Sequence, residues 1–308
     1  MASPNDSTAA FVHLSDPHMT SLRRLRARDL VNKRLLGYLS WRRSRRRDHD
    51  PEVLGALRHA LADHPGDAVV ITGDLTHLGT PDEYAEARDW LATLGPAERV
   101  SVVPGNHDLY APVTPAATLA HWDRHMGGDG ATAFPFERRH GPISFIGVNT
   151  AYPSAPLLAT GRIGTAQMAR LSELLERTGA EGRFRVVFMH HPPQHDAVGR
   201  RKALNDAMAF REVIRRQGAE LILHGHTHRL CRARLDGPAA GVPVLGASSA
   251  STRSARFRRN AAYYRCRVTD DGGRWRLSVS MHAYCPDKAV FAEHSSSDGP
   301  LSDLACAS

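Results

Sequence analysis

The sequence of 308 residues predicts an α/β protein, and two features of the chain support this prediction. Six short apolar runs, rich in Val, Ile and Phe, each end in polar residues, as buried strands commonly do. Helical patterns lie between several of these runs, at residues 51–63, 81–94, 165–178 and 203–217. Strands that alternate with helices indicate a β-sheet core covered by helices.

The apolar runs and the helical patterns have recognisable ends. The six predicted strands are AFVHLSD (10–16), DAVVITGD (67–74), RVSVVPGNHD (99–108), ISFIGVNT (143–150), FRVVFMHH (184–191) and AELILHGHTH (219–228). Among the helices, TPDEYAEARDWLATLG is the clearest, with Thr80 as the N-cap, Pro81 in the first turn and Gly95 as the terminator.

After residue 228 the pattern changes. VPVLGASSA, AAYYRCRVTD and RWRLSVSMHAY are typical of antiparallel strands, and the turn DDGG (270–273) joins the last two. From about residue 286 the segment containing HSSSDGP is typical of a loosely held end. We therefore expect a single domain over residues 1–285 and a loosely ordered tail over 286–308.

Composition and cysteine placement exclude several other classes. The 42% hydrophobic share is ordinary for a globular protein, and no apolar run approaches the ~18 residues of a membrane span. The polar start MASPNDSTAA lacks the layout of a secretory signal, so we expect a cytoplasmic protein, or one peripheral to the inner face of the membrane. The four cysteines (Cys231, Cys266, Cys285 and Cys306) lie far apart without a C-x-x-C pair, which argues against disulfides and structural zinc.

Side chains that can ligate metal ions follow five of the predicted strands. In chain order they are Asp16, His18, Asp74, Asn106, His190, His226 and His228. In open α/β sheets functional groups gather outside the carboxyl ends of the strands, so we expect these side chains to converge. Carboxylate, imidazole and amide ligands suit Mn, Fe, Zn or Ni. Each motif alone occurs by chance, but five in order, with glycine at the sharp turns, favour a common site.

These motifs, DPH, GD, GNHD, HH and GHTH, resemble the signature of the calcineurin-like metallophosphoesterases over roughly residues 10–285. The HHPP and GHTH forms are most similar to the branch that contains class III cyclic-nucleotide phosphodiesterases and glycerophosphodiesterases. The resemblance implies an α/β fold with two facing mixed β-sheets flanked by helices, in four layers α/β/β/α. It also implies a phosphoester substrate, with phosphodiesters favoured.

The resemblance further implies two metal ions that share one carboxylate. The first ion would be held by Asp16, His18 and His228, the second by Asn106, His190 and His226, and Asp74 would bridge them. A hydroxide between the ions would attack phosphorus in line with the departing alkoxide. The identity of the ions (Mn, Fe, Zn or similar) stays open, because these ligands tolerate several metals.

Further residues are candidates for catalysis or substrate binding. In the family, the histidine equivalent to His107 faces the phosphate or the leaving group, which implies a general acid or a transition-state stabiliser. Asp108 could orient His107 or could be a turn-forming residue. The substrate-binding candidates are His77, His195, Arg253 and Arg256, with ordinary surface positions as the alternative.

Residues 19–50, here called the insertion, carry eleven Lys and Arg against three acidic residues, and so account for the whole formal net charge of +8. Val31, Leu35 and Leu39 keep an i, i+4 spacing, which predicts a helix that is apolar on one side and basic around it. Such a helix fits an anionic membrane surface or a lid. It resembles, more loosely, the inserts of family members that cut UDP-diacylglucosamine.

Three functions are compatible with these features. The favoured one is a dinuclear phosphodiesterase of unspecified substrate, and the second is the same chemistry on a lipid pyrophosphate such as UDP-diacylglucosamine. The third is a non-catalytic scaffold or nucleic-acid-binding protein. The complete ligand set argues against a scaffold, and the confinement of the charge to one insertion argues against nucleic acid. The sequence leaves the oligomeric state open.

Overall fold

A computed structural model describes residues 8–19, 21–22, 25–30, 32–43, 49–112, 118–128 and 134–300. Some predicted features lie outside these residues: Val31 of the expected apolar stripe, five arginines of the insertion and residues 301–308 of the tail. The five arginines are Arg23, Arg24, Arg45, Arg46 and Arg47.

The described chain contains twelve strands and five α-helices. The strands are β1 Thr8–Leu14, β2 Ala68–Ile71, β3 Val100–Val102, β4 Phe136–His140, β5 Ile143–Gly147, β6 Phe184–Phe188, β7 Leu221–His224, β8 Cys231–Leu235, β9 Val242–Gly246, β10 Ala262–Asp270, β11 Trp275–Cys285 and β12 Val290–Pro300. The helices are α1 Arg34–Arg43, α2 Pro51–Ala62, α3 Pro81–Thr93, α4 Thr165–Ala180 and α5 Ala207–Gln217.

The strands form two mixed sheets of six strands each. The first has the order β12-β11-β10-β1-β2-β3, with β1, β2 and β3 parallel and the other neighbours antiparallel. The second has the order β4-β5-β6-β7-β9-β8, in which β5, β6, β7 and β9 are parallel and the two edge strands antiparallel. The parallel strands of both sheets therefore end at edges where polar loops can meet.

The two sheets pack face to face. The rings of Phe11 on β1 and Phe145 on β5 meet edge to face, with centroids 5.1 Å apart. Strand β6 alternates, because Val186 packs between the sheets and Val187 packs in the separate cluster that α4 and α5 help to form. Helices α2 and α3 pack with the strands of the first sheet, for instance through Leu57. The predicted fold, two facing mixed sheets flanked by helices, is confirmed.

The predicted helices correspond to α2, α3, α4 and α5, and the clearest boundary is correct. The Thr80 side chain accepts from the N–H of Glu83, and the Glu83 carboxylate accepts from the N–H of Thr80 in return. This reciprocal capping fixes the start of α3. Helix α2 begins with a simpler N-cap at Asp50, whose side chain accepts from the N–H of Glu52.

The expectation of a loosely held end from residue 286 was wrong for Val290–Pro300. These residues form β12, which pairs antiparallel with β11 from Cys285 opposite Val290 to Arg276 opposite Pro300. Most of β12 is polar and exposed, so it has no apolar periodicity to read. An edge strand of this kind is held by backbone hydrogen bonds to its neighbour, which side-chain patterning does not reveal.

The insertion forms a 3₁₀ helix at Ala27–Leu30 and then α1. Two of its cations anchor it to the body of the protein. The buried guanidinium of Arg34 donates to the carbonyls of Leu78 (3.0 Å) and Gly79 (2.6 Å). The Lys33 ammonium donates to the carbonyl of Ser154 at 3.0 Å. Part of the positive charge of the insertion is therefore structural.

Helix α1 has two different faces. Tyr38 and Trp41 are half-buried and stack on each other, with ring centroids 6.0 Å apart. Leu35, Leu36 and Leu39 are exposed by 45%, 48% and 52%. Among the described residues, no helix is both long enough and apolar enough to cross a bilayer.

Candidate metal centre

The predicted ligands converge from loops that follow strands of both sheets, and many of them have an unusual backbone. Five of them are non-glycine residues with positive φ: Asp16 (50°), His18 (39°), Asp74 (57°), His226 (67°) and His228 (50°). Left-handed backbone is costly for such residues and concentrates at functional sites. The sharp turns after the strands thus direct these side chains to one point.

Glycines allow the loops to approach the carboxylates closely. A Cβ added to Gly105 would collide with the carboxylate of Asp74. A Cβ added to Gly225 would collide with Ser15 and with the carboxylate of Asp16. The glycines of GNHD and GHTH are therefore needed because the backbone runs directly against acidic side chains.

A first group of side chains, here called the first ligand cluster, consists of Asp16, His18, His228 and Asp74. Asp16 Oδ1 lies 3.2 Å from His228 Nε2, and His228 Nε2 lies 3.4 Å from His18 Nε2. His18 Nε2 lies 3.8 Å from Asp74 Oδ2. Asp16 Oδ1 is buried and has no hydrogen-bond donor within the described part of the chain, as expected of an atom that serves a cation.

A second group, the second ligand cluster, consists of Asn106, His190, His226 and Asp74. His190 Nε2 lies 3.1 Å from Asn106 Oδ1, 3.1 Å from His226 Nδ1 and 3.4 Å from Asp74 Oδ2. Asp74 Oδ2 therefore contacts both clusters.

Backbone carbonyls orient the imidazoles. Nδ1 of His18 donates to the carbonyl of Thr76 (2.9 Å), and Nδ1 of His190 donates to the carbonyl of Thr72 (2.7 Å). His226 is turned the other way, since its Nε2 donates to the carbonyl of Lys202 at 3.0 Å. Each ring therefore presents its remaining nitrogen lone pair to the centre of its cluster, as metal-ligating histidines do.

The residues fit two metal ions that share Asp74. Nitrogen and oxygen ligands bind such ions at about 2.0–2.2 Å, so ligands of one ion lie roughly 3.0–3.5 Å apart. The spacings within the second cluster fall in this range, and those of the first cluster reach 3.8 Å. Imidazole, carboxylate and amide oxygen form a donor set for Mn, Fe, Zn or Ni, without thiolates.

The electrostatics of the centre favour positive charge. Burial opposes ionisation of Asp74, but the neighbouring His190 and His107 hold its pKa well below the usual range. Burial also opposes protonation of His190, yet the Asp74 carboxylate raises its pKa to about 9. The protein thus buries an ionised carboxylate that stabilises positive charge beside it, which is what a cation site requires.

His107 lies beside the clusters and belongs to neither. Its Nδ1 donates to the carbonyl of His77 (2.6 Å), and its N–H donates to Asp74 Oδ1 (2.7 Å). Its ring meets that of His18 edge to face, with centroids 4.9 Å apart. The backbone thus fixes both the position and the orientation of the His107 ring.

Asp108 is a brace for the loops rather than the group that holds the His107 ring. Its fully buried carboxylate accepts from the N–H groups of Asp74 (2.8 Å), Gly105 (2.8 Å) and Thr76 (2.9 Å), and from the Thr76 hydroxyl (3.0 Å). Burial and the nearby charge of Asp74 raise the pKa of Asp108 to about 7. The expected orienting contact is made instead by the carbonyl of His77.

A cavity of about 530 Å³, here called the cleft, opens onto the ligands Asp74, Asn106, His226 and His228, and onto His107. Its walls carry four cationic residues: Lys202, Arg229, Arg253 and Arg259. Sequence reasoning missed Lys202 and Arg229, although Arg229 directly follows GHTH. Arg253, which it named, is also bound to Asp50 (2.9 Å) and Glu52 (3.1 Å).

A second cavity of about 780 Å³, here called the chamber, lies beside His18 under the insertion. His77 is buried and lines the chamber. The other two substrate-binding candidates, Arg256 and His195, are exposed and are not among the described residues that line either cavity.

His49, at the end of the insertion, is a further residue that sequence reasoning missed. Its Nδ1 lies 2.7 Å from the Ser251 hydroxyl, and its ring lies 4.5 Å from that of His18, between centroids. It lines both the cleft and the chamber. Because it follows no strand, no sequence pattern distinguishes it from a surface histidine.

The fold and the metal-binding type of side chains at its centre point to a metallophosphoesterase, and the sequence comparisons agree. A profile of the calcineurin-like phosphoesterase family matches residues 9–230, and the chain belongs to this family.

Two relatives are each 30% identical to the chain. A probable cyclic nucleotide phosphodiesterase of Rhodococcus erythropolis aligns over 59% of this chain and 57% of its own length. A cAMP/cGMP dual specificity phosphodiesterase of Mycobacterium tuberculosis aligns over 59% of this chain and 54% of its own length. A glycerophosphodiester phosphodiesterase of Enterobacter lignolyticus is 28% identical, and the alignment covers 59% of this chain and 56% of the relative. The chain thus spans only somewhat more than half the length of the relatives it matches.

Among solved structures, a dimetal phosphatase from Danio rerio superimposes with a TM-score of 0.58 at 16% identity. The superposition covers 96% of this chain and 100% of the phosphatase chain. At this identity the likeness concerns the fold alone.

Proposed function

We propose that the protein hydrolyses phosphodiesters at the paired ligand clusters. The observation that carries this proposal is the position of Asp74 Oδ2, which lies 3.8 Å from His18 Nε2 and 3.4 Å from His190 Nε2 and so belongs to both clusters. When bound, two divalent ions would supply Lewis acidity toward water and toward the phosphate oxygens. Among the metals that suit these ligands, manganese and iron are our first choices.

The remaining residues have roles that follow from their geometry. Asp16, His18 and His228 would hold one ion, and Asn106, His190 and His226 the other. Because the Nδ1 proton of His107 is engaged by the His77 carbonyl, the Nε2 atom would face the substrate. In the protonated ring, Nε2–H can give a proton to the leaving oxygen or donate a hydrogen bond to the phosphate.

The cleft supports an anionic substrate. Lys202, Arg229, Arg253 and Arg259 line the same cavity as the proposed ligands, so a phosphate would enter a region of positive charge. The names of the relatives suggest cyclic nucleotides and glycerophosphodiesters as first substrates to test. A lipid pyrophosphate such as UDP-diacylglucosamine is the second candidate, favoured by the apolar residues of the insertion.

The test is a substrate panel with the Mn²⁺-loaded protein. It contains bis(p-nitrophenyl) phosphate, cyclic nucleotides, glycerophosphodiesters, UDP-diacylglucosamine and p-nitrophenyl phosphate. We expect hydrolysis of the diesters to exceed that of the monoester. If the metal-loaded protein is inert on mono- and diesters alike, the catalytic function is refuted and the scaffold function takes its place.

We also propose that the outer face of α1 contacts an anionic membrane surface, at the cytoplasmic side. Three exposed leucines, Leu35, Leu36 and Leu39, lie on the same helix as the exposed Arg42 and Arg43. An apolar stripe flanked by arginines combines burial in the lipid interface with attraction to anionic headgroups.

Point variants test the membrane contact better than a deletion, because the insertion also contains the anchors Lys33 and Arg34. The double change Leu36→Asp and Leu39→Asp should lower binding to phosphatidylglycerol vesicles by about tenfold or more, since it removes apolar burial and adds repulsion. Met208→Asp, at a residue that is 78% exposed on α5, is the control. Equal vesicle binding by the variant and the control would refute the contact.

A further inference from the structure

The chamber is built mainly by the insertion. Of the fifteen described residues that line it, eleven lie within 19–50, and the other four are His18, Pro51, Leu54 and His77. Its volume of about 780 Å³ lies within the range of cavities that hold small-molecule ligands. The proposed metal ligand His18 is itself part of the wall.

The chamber adjoins the surroundings of the metal centre, with three imidazoles at the boundary. His49 lines both the chamber and the cleft. The ring centroid of His49 lies 4.5 Å from that of His18 and 5.4 Å from that of His77. A group attached to a phosphate at the metal centre would therefore lie within reach of the chamber.

Part of the chamber wall is apolar and aromatic, and polar residues such as Ser21 and the three histidines form the rest. Apolar side chains come from Met19, Leu22, Leu25, Leu30 and Leu54. Trp41 stacks on Tyr38 at 6.0 Å between centroids, and its other neighbour is His77, also at 6.0 Å. Burial of alkyl surface against such walls is favourable in proportion to the area removed from water.

Two formally charged residues are among the described residues of the chamber wall, and both are paired. Arg26 lies 3.9 Å from Asp82, and Asp50 both caps α2 and binds Arg253 at 2.9 Å. The cationic residues that could meet a phosphate line the cleft instead. Among the described residues, the cleft is therefore the more cationic of the two cavities.

We propose that the chamber is a specificity subsite for an alkyl or acyl substituent of the phosphodiester whose phosphate lies at the metal centre. The proposal rests on the proposed phosphodiesterase function and deepens it. Trp41 and Leu30 form the walls that contact the substituent, and His49 lies where the substituent passes from the cleft into the chamber.

A third metal ion is not the better occupant, although ligating atoms of His18, His49 and His77 lie within 4.8 Å of one another. His18 Nε2 faces His228 and Asp74 in the first ligand cluster, and its Nδ1 donates to the Thr76 carbonyl. His18 has no nitrogen left for another ion, and two imidazoles alone make a poor metal site.

The first test uses p-nitrophenyl alkyl phosphodiesters with methyl, butyl and octyl chains. In the wild-type protein kcat/KM should rise about fourfold per methylene over the first few carbons, which is the contribution of a buried methylene. Trp41→Ala and Leu30→Ala should flatten this dependence with little change for the methyl ester. Met208→Ala, at an exposed residue of similar size, should retain the full dependence.

The second test measures binding without catalysis. Isothermal titration of the metal-free protein with methyl-, butyl- and octylphosphonate should show the same rise in affinity with chain length, and the same loss in Trp41→Ala. If no diester is hydrolysed but this rise is found, the proposed function fails and the chamber stands. If diesters are hydrolysed without dependence on chain length in either assay, the chamber proposal fails alone.

A nucleoside is the competing occupant, because Trp41 could stack on a base. The p-nitrophenyl ester of thymidine 5′-phosphate distinguishes the two. A loss of kcat/KM on this ester in Trp41→Ala, together with an unchanged alkyl dependence, would overturn the alkyl assignment. An unchanged nucleoside ester with a flattened alkyl dependence would support it.

Discussion

The metal centre and the insertion are held in different ways. At the metal centre, ligands from both sheets meet in a small volume, and almost all of them are buried. The insertion contributes a 3₁₀ helix and α1, whose outer face is exposed, and it is joined to the body by side-chain contacts such as those of Lys33 and Arg34. One region is fixed by strand ends and backbone hydrogen bonds, and the other by a few side-chain contacts.

The difference separates reaction from selectivity. Under the proposed function, metal ions at the centre would act on any phosphoester, whereas most of the chamber wall and the exposed leucines belong to the insertion. Changes at the centre should therefore affect every substrate, and changes in the insertion should affect only some substrates or only binding to surfaces.

The largest effect should come from Asp74→Ala. Because Asp74 Oδ2 contacts both ligand clusters, its loss should weaken both ion sites and lower kcat/KM by at least ~10³-fold on every diester. The assay is hydrolysis of bis(p-nitrophenyl) phosphate with Mn²⁺, and Asp89→Ala on the exposed surface of α3 is the control. If Asp74→Ala retained a tenth of the activity, Asp74 would not be a bridge between two metal ions.

His107→Gln should lower kcat by about 10²–10³-fold, because proton transfer or a hydrogen bond to the phosphate is lost. The number of bound metal ions should not change, since His107 belongs to neither ligand cluster. Metal content and kcat are measured together, with His59→Gln on α2 as the control. A fall in metal content would instead make His107 a ligand.

Asp108→Asn should destabilise the fold by about 2–3 kcal/mol, because an amide accepts with one oxygen and turns its NH₂ toward backbone donors. The donors that lose their partner are among the N–H groups of Asp74, Gly105 and Thr76. Urea unfolding measures the change, and Asp287→Asn in an exposed turn is the control. Unchanged stability would contradict the role of Asp108 as a brace.

The smallest effect on catalysis should come from Arg34→Ala. Loss of the hydrogen bonds to Leu78 and Gly79 should loosen α1 and speed amide exchange over residues 34–43. Activity on a small diester should stay within about twofold, because no ligand moves. If that activity falls as far as in Asp74→Ala, the insertion and the metal centre do not contribute independently to the reaction.

The difference between the metal centre and the insertion also explains which features the sequence could predict. The convergence of the side chains at the metal centre was predictable because each follows an apolar run, and the topology brings the strand ends together. The role of Asp108 was not predictable from the sequence, because its partners are backbone N–H groups as far as 34 residues away in the chain. His49 approaches the centre only through the path of the insertion, and β12 exists through backbone pairing with β11. These features depend on contacts between distant segments, which local patterns do not record.

The central claim is that two metal ions sharing Asp74 support diester hydrolysis. It is tested most directly by titrating Mn²⁺ into the metal-free protein while both bound ions and hydrolysis of bis(p-nitrophenyl) phosphate are measured. We expect two ions per chain, activity that grows with the second, and a spin-coupled manganese signal that Asp74→Ala abolishes. Full activity with one ion per chain, or two bound ions without hydrolysis, would contradict the claim.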